Sequence, residues 1–310
     1  MGFVIFKRVI VGIPTLIGVT IILFLTLRVL PGDPISVLLA GAPATPEVVD
    51  TLRAQFGLDQ PLYAQYWTFL TQAFAFDFGT SYVTRQPVST MIGQQIWPTL
   101  QLAVAAAAVS AVVGILLGSV AAIYRNRWPD SAIRVLSLLN TSMPSFWVGL
   151  LLIILFSFTF RIFPATGNDG LAALVLPAVT LGLAAAGTVT RLVRNSVIEV
   201  VGENFVMALY AKGLRRNVVV MRHVLRNAII PTVTIVGLQL GALIAGAVIV
   251  EAVFARQGLG QMLVQAIGAK DYPVVQAVVL VIAGLYILIN IIVDISYAYI
   301  DPRVRDAVKR

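Results

Sequence analysis

An all-α protein that crosses a lipid bilayer six times is the fold this sequence predicts, and two observations carry the prediction. Of 310 residues, 59% are apolar and 12% charged, with a mean hydropathy of +0.92; soluble domains carry about 25% charged residues. The apolar residues also gather into runs of about 20 with hardly a charge, the length that spans ~30 Å of hydrocarbon at 1.5 Å per residue. In lipid the backbone satisfies its hydrogen bonds only inside a helix or a closed barrel, and these runs lack the two-residue alternation of barrel strands.

The runs lie at about 9–27, 100–123, 135–160, 171–192, 229–254 and 274–297. The first follows Lys7-Arg8 but is too long for a signal peptide and has no small-x-small cleavage site after it, so it counts as a spanning helix. Six spans put both ends on one side. The segment after the first span carries Arg53 and Arg85 against Asp33, Glu47, Asp50, Asp59 and Asp77, whereas the connection after the second carries Arg125, Arg127 and Arg134 against Asp130. The loop at 161–170 is nearly neutral, and the next holds Arg194, Lys212, Arg215, Arg216, Arg222 and Arg226. Because Lys and Arg collect on the cytoplasmic side, both termini and the Arg194–Arg226 loop are expected there.

The organisation that follows is an N-terminal tail and first span (1–30), an external segment (31–98), a five-helix core (99–300) containing a cytoplasmic loop (193–228), and a cytoplasmic tail (301–310). In the external segment Thr45 can cap a helix that begins at Pro46, carries Val48, Leu52 and Phe56 on one face and stops at Gly57. A second helix is expected from Pro61, with Leu62, Tyr66, Phe69 and Ala73 at helical spacing, both helices packing on the outer face.

The net charge of +8 does not indicate nucleic acid, because no Lys/Arg cluster interleaves with aromatics on a soluble module. The absence of cysteine excludes a disulfide framework, a thiolate metal site and a Cys nucleophile. His223, the lone histidine, sits in a basic polar stretch that suits a contact role rather than a metal or catalytic one.

Met207-Ala208-Leu209-Tyr210-Ala211-Lys212-Gly213-Leu214 joins helix formers to a terminating glycine, and the basic segment Arg215–Arg226 follows. A short helix and turn are predicted, either lying at the headgroups or docking a cytoplasmic partner.

This stretch resembles the cytoplasmic "EAA" loop of permease subunits of ATP-binding-cassette (ABC) importers, with Gly213 at the motif's central glycine. Its extension through His223, Arg226 and Pro231 resembles the dipeptide and oligopeptide (peptide/nickel) permease family. The likeness runs along the chain: Leu30-Pro31-Gly32-Asp33-Pro34, Phe56-Gly57-Leu58-Asp59-Gln60-Pro61, Ser142-Met143-Pro144-Ser145-Phe146, Leu176-Pro177-Ala178 with Arg191 and Arg194, Gly237-Leu238-Gln239, Glu251, Gly258-Leu259-Gly260, Asp271-Tyr272-Pro273 and Asp301-Pro302-Arg303 are similar to that family's B-type permease. Phe76 stands where the family tends to glycine, and Gln257 where proline commonly precedes Gly258.

The resemblance implies a type I ABC importer permease in the bacterial inner membrane. It implies a heterodimer with a second homologous permease, two ATPase subunits that hold ATP and Mg²⁺, and an external substrate-binding protein. Met207, Ala208, Leu209, Ala211, Lys212, Gly213, Leu214, His223 and Arg226 would then receive the ATPases. No Gly-x-x-x-x-Gly-Lys loop occurs in this chain, so it is expected to bind no cofactor and to be non-catalytic.

Polar positions within the spans mark candidate pathway residues. Gln239, Leu243, Gly246 and Val250 share one face of the fifth span, with Ile235 and Ile244 expected to meet lipid. Asn290, Asp294 and Tyr297 share a face of the sixth, and Asn140, Thr141, Ser142 and Ser145 flank Pro144 in the third. The alternative role for each is interhelical hydrogen bonding, with Gly237, Gly241 and Gly246 allowing close approach. Glu251 and Asp294, near span ends, also suit the membrane interface. An intramembrane enzyme is disfavoured, since no HExxH pair, Gly-x-Ser-x-Gly elbow or two carboxylates close on one intramembrane face are found, and an ion-coupled carrier predicts inverted repeats with intramembrane acids or broken helices, none of which the sequence is read to contain. Family members carry di- and oligopeptides, glutathione, nickel chelates, opines or sugar conjugates, with peptide the leading expectation.

Overall fold

All six apolar runs are helical in the computed structural model, which describes residues 2–29, 35, 39, 45–55 and 59–300; the side chains at 2–9, 27–29, 52, 55, 230, 294 and 297–300 fall outside that description. The segments Leu30–Pro34, Phe56–Leu58 and Asp301–Arg303, with the expected stop at Gly57, also lie outside the described residues.

In chain order the helices are α1 (Gly2–Val29), α2 (Pro46–Gln55), α3 (Leu62–Phe74), α4 (Val88–Ile123), α5 (Trp128–Ser142) and α6 (Ser145–Leu152), which continues as a π-helix, Ile153–Thr159. Then come α7 (Ala172–Val201), α8 (Asn204–Ala211), a turn Arg216–Val218 leading into a π-helical segment Val219–Val224, α9 (Leu225–Val253), α10 (Leu259–Gly268) and α11 (Tyr272–Ile300). Among the described residues the one β feature is the isolated bridge between Thr80 and Pro87.

Helix α4, helix α7, Pro231–Val253 of α9 and Tyr272–Val293 of α11 are each long and apolar enough to cross a bilayer; α1 contributes a shorter apolar section, Ile10–Thr26. The third run, expected as a single span over 135–160, is broken: α5 and the α6–π segment meet at a bend of 107°. Pro144 disfavours the α conformation in the residue before it, and Met143 accordingly sits at φ −80°, ψ 135°, which ends α5. The amide of Trp147 then bonds to the Pro144 carbonyl at 3.0 Å to begin α6.

The chain divides into two units. The first holds α1–α3, the start of α4, α10 and most of α11. In its core Val88 and Ile92 of α4 pack with Leu259, Met262 and Ala266 of α10 and with Val274, Val275, Ala277 and Val278 of α11. The amide of Leu259, unsatisfied by its own helix, donates to Thr99 Oγ1 at 2.8 Å. Asp271 is buried at the start of α11, where Ser81 Oγ and the Tyr82 amide (3.0 Å) donate to its two oxygens. Ser81 Oγ in turn accepts from the amides of Val83 and Thr84, so this carboxylate organises the loop before α4.

The second unit holds the rest of α4 and α5–α9. Helices α4 and α7 approach closely enough to require glycine: a Cβ on Gly118 would lie 2.7 Å from the Thr190 carbonyl, and one on Gly182 would lie 2.6 Å from the Ala106 carbonyl. On the other side of α7, Asn140 Nδ2 donates to the Leu183 carbonyl.

Candidate functional site

The loop expected on the cytoplasmic side is built on the end of α7. After Gly202 the chain turns into α8, and two bonds close that helix: the Gly213 amide donates to the Tyr210 carbonyl at 2.9 Å, and the Leu214 amide to the Leu209 carbonyl at 3.3 Å. This pair of crossed bonds requires a left-handed residue after the cap, and Gly213 stands at φ +78°. The predicted helix and glycine stop are therefore both present.

Helix α8 divides into a buried and an open face. Val206 is fully buried and Leu209 half-buried; they pack with Val189, Val193 and Val197 of α7, Val219 and Val224 of the π-helical segment, and Ala228 of α9. The open side is apolar: Met207 is 70% exposed, Phe205, Tyr210 and Leu214 are exposed as well, and Met221 of the π-helical segment is 61% exposed. Ala208, Ala211 and Lys212 are exposed as well. Arg215, Arg216, Arg222 and Arg226 follow in the chain and are also exposed. Exposed Met and aromatic side chains close in sequence to exposed arginines have the make-up of a protein interface. His223 is half-buried; its carbonyl accepts from Asn227 Nδ2 at 3.0 Å.

A second feature holds this loop in place. Arg194 of α7 grips Asp130 of α5 with two bonds, Nε to Oδ1 at 2.7 Å and Nη2 to Oδ2 at 2.8 Å, and Asp130 is wholly buried. The Asn126 amide (3.0 Å) and Arg134 Nε (3.4 Å) complete the carboxylate's surroundings. In sequence Asp130 reads as a topological charge, and Arg194 as that and as part of the family likeness; their separation of 64 positions hides the pair, although a single acid in a basic loop is an available signal.

The expected pathway residues fall into different environments. Ser142 is exposed, with Oγ donating to the Leu138 carbonyl at 3.0 Å, and Ser145 is half-buried on the far side of the break. Gln239 is half-buried, and its Oε1 has no hydrogen-bond partner. Leu243 is only 5% exposed and Val250 is fully buried, while a Cβ on Gly246 would meet Leu181 Cδ1 at 3.0 Å. Within this protomer that stripe is a packing seam against α7. Ile244, expected to meet lipid, is fully buried too; the open face of α9 is Leu238, Ala242, Ala245 and Ile249. Asn290 is half-buried, and the side chains of Asp294 and Tyr297 lie outside the described residues.

Glu251 lies two residues before the end of α9. It is fully buried, as is Arg256 at 3% exposure just beyond α9. Burial lowers the Arg256 pKa from its ordinary value, and the Glu251 charge opposes that effect.

Residues 114–306 match the family described as binding-protein-dependent transport system inner membrane component, and residues 1–103 match the N-terminal part of such membrane components. The chain belongs to this family. The permease is 42% identical over 299 residues to the glutathione transport system permease protein GsiC of Escherichia coli (strain K12), covering 96% of its own length and 97% of that relative. The GsiC of Salmonella typhimurium (strain LT2) is equally similar, with the same coverage. A solved structure of the MetNI methionine ABC transporter in an inward facing conformation shares the fold, with a TM-score of 0.56 at 21% identity over 68% of the permease and 96% of that chain. The protein is thus an ABC importer permease subunit of the peptide/nickel type, a multi-pass component of the inner membrane.

Proposed function

We propose that this permease forms a translocation pathway with a second, homologous permease as a heterodimer. Two ATPase subunits, which hold ATP and Mg²⁺, dock on α8, and an external binding protein delivers di- and oligopeptides. The observation that carries the docking assignment is the open apolar side of Phe205, Met207, Tyr210 and Leu214 at a helix whose other face is locked into the second unit. Lys212, His223 and Arg226 follow that helix in the chain, and Gly213 sets where the helix ends. Closure of an ATPase cleft on α8 would move α7 and α9 together, a rigid-body gating step.

A pathway shared by two permeases must be lined by groups each protomer leaves open. Ser142 and Ser145, at the break of the third span, meet that condition, whereas Leu243 and Gly246 serve packing. The relatives named for glutathione, a tripeptide, make it the first substrate to test within the peptide class. Uptake of labelled glutathione and of dipeptides is measured in cells carrying the complete transporter; accumulation of neither, with a nickel chelate, opine or sugar conjugate taken up instead, would overturn the peptide assignment. For docking, a Met207→Cys variant of this cysteine-free chain is expected to cross-link to an ATPase subunit. Failure there, with a cross-link from Ile249→Cys instead, refutes the assignment.

A further inference from the structure

Helix α3 has three faces, and one of them is largely unpartnered among the described residues. At 100° per residue, Tyr66, Phe69 and Ala73 point one way, Gln65, Thr68 and Gln72 another, and Tyr63, Trp67, Leu70 and Phe74 a third. The first face packs on α1. The rings of Tyr66 and Phe69 lie 5.4 Å and 6.3 Å from that of Phe24, which is 4% exposed, and the Tyr66 hydroxyl is 2.9 Å from Thr20 Oγ1. The third face is open at its aromatics, with Tyr63 78% exposed, Trp67 69% and Phe74 81%, while Leu70 between them is half-buried. Phe76, just beyond, is 76% exposed on a backbone at φ 55°, a conformation that is strained for a bulky side chain. The thirteen residues of α3 include no charge.

The depth of this helix follows from what it touches. Thr20 and Phe24 belong to the apolar section Ile10–Thr26 of the first span. At 1.5 Å per residue they stand roughly 9 Å and 3 Å inside its outer end, the depth of about 5–10 Å at which interfacial helices bury their apolar faces. A helix tied to α1 at that level cannot present four aromatics to bulk water without a large cost, whereas Trp and Tyr favour the boundary between headgroups and acyl chains. Its Gln and Thr face lies away from the aromatic one, as an in-plane helix requires.

We infer that α3 lies in the membrane interface, with Tyr63, Trp67, Phe74 and Phe76 inserted among the phospholipids of the leaflet at the C-terminal end of α1. The segment is therefore a lipid-binding surface that fixes the outer end of the first span, rather than a free platform for a soluble protein. The placement does not depend on the transported substrate, only on α1 crossing the bilayer.

The test uses the complete transporter reconstituted in phospholipid vesicles, with Trp97, Trp128 and Trp147 replaced by Phe and the emission of Trp67 taken as the difference from the same transporter carrying Trp67→Phe as well. With lipids brominated near the headgroup end of the acyl chains, Trp67 is expected to lose most of its emission, and aqueous iodide is expected to have little effect. Quenching by iodide without quenching by bromolipid overturns the inference, as does shielding from both, which would mean a protein cover. Should the triple replacement fail to assemble, Phe74→Cys carrying a spin label gives the same decision: greater relaxation by oxygen than by a water-soluble nickel chelate supports insertion, and the reverse refutes it.

Discussion

Replacing Gly213 isolates the backbone's share in the docking of α8, because a Cβ built there meets nothing within 4 Å. No steric clash adds to the conformational cost. An L-residue held at φ +78° pays about 1–2 kcal/mol, so Gly213→Ala leaves the native turn roughly 5–30-fold less populated relative to its alternatives. Gly213→Asn pays less, since Asn visits the left-handed region more readily. Gly213→Pro cannot adopt the angle at all, its φ being fixed near −65°. It also loses the amide that reaches the Tyr210 carbonyl at 2.9 Å, a bond worth ~0.5–1.5 kcal/mol. The expected order of ATPase co-purification and substrate uptake, normalised to the amount of inserted subunit, is Gly, Asn, Ala, Pro. Pro should abolish both while the subunit still inserts. Wild-type ATPase recovery and uptake in Gly213→Pro would refute the reasoning, and equal effects of Ala and Asn would refute the part that rests on φ.

Other perturbations test the remaining geometry. Asp130→Asn should cost about 3 kcal/mol, the low end for removing one partner of a buried pair because Arg194 keeps 16% exposure; the thermal midpoint in detergent measures it, and Arg194→Lys should also lower that midpoint, since an ammonium cannot reproduce the two-pronged grip. Gly118→Val should destabilise the unit by ~1–3 kcal/mol through overpacking, read as faster thermal inactivation; an unchanged midpoint would mean that α4 and α7 do not approach as closely as 2.7 Å implies. Ser142→Cys should react with a small water-soluble thiol reagent while Leu243→Cys and Ile244→Cys stay protected; equal labelling at all three would sink the distinction between an open and a packed face.

The sequence carried the helices, because length and apolarity determine a span, and it carried the end of α8, because a glycine after a run of helix formers has a local cause. The break at Pro144 was half legible: the proline was visible among polar residues, but the 107° bend depends on how α5 and α6 each pack. Helix α10 is not assigned from sequence, being too short to count as a span; its amphipathic face is meaningful only beside Val88 and Val274. The faces of α9 escaped for a related reason. Every face of an apolar span looks alike in sequence, so polarity cannot tell Leu243 and Ile244, turned toward the protein, from Ala242 and Ala245, turned outward. Long-range charge pairing, as between Asp130 and Arg194, leaves no periodic trace. Phe76 shows the converse: a departure from the family's glycine that was visible in sequence gains its meaning from a φ of 55°.

The buried seam beneath α8 consists of six valines and Ala228. Valine in a helix has essentially one side-chain rotamer, whereas leucine or methionine could absorb a displacement by hopping between several. A push on α8 therefore meets a joint with little play, and α7 and α9 must follow it without lag. In mechanical language the seam has low backlash, and replacing its valines with methionine would be expected to let the motor turn while the gate slips.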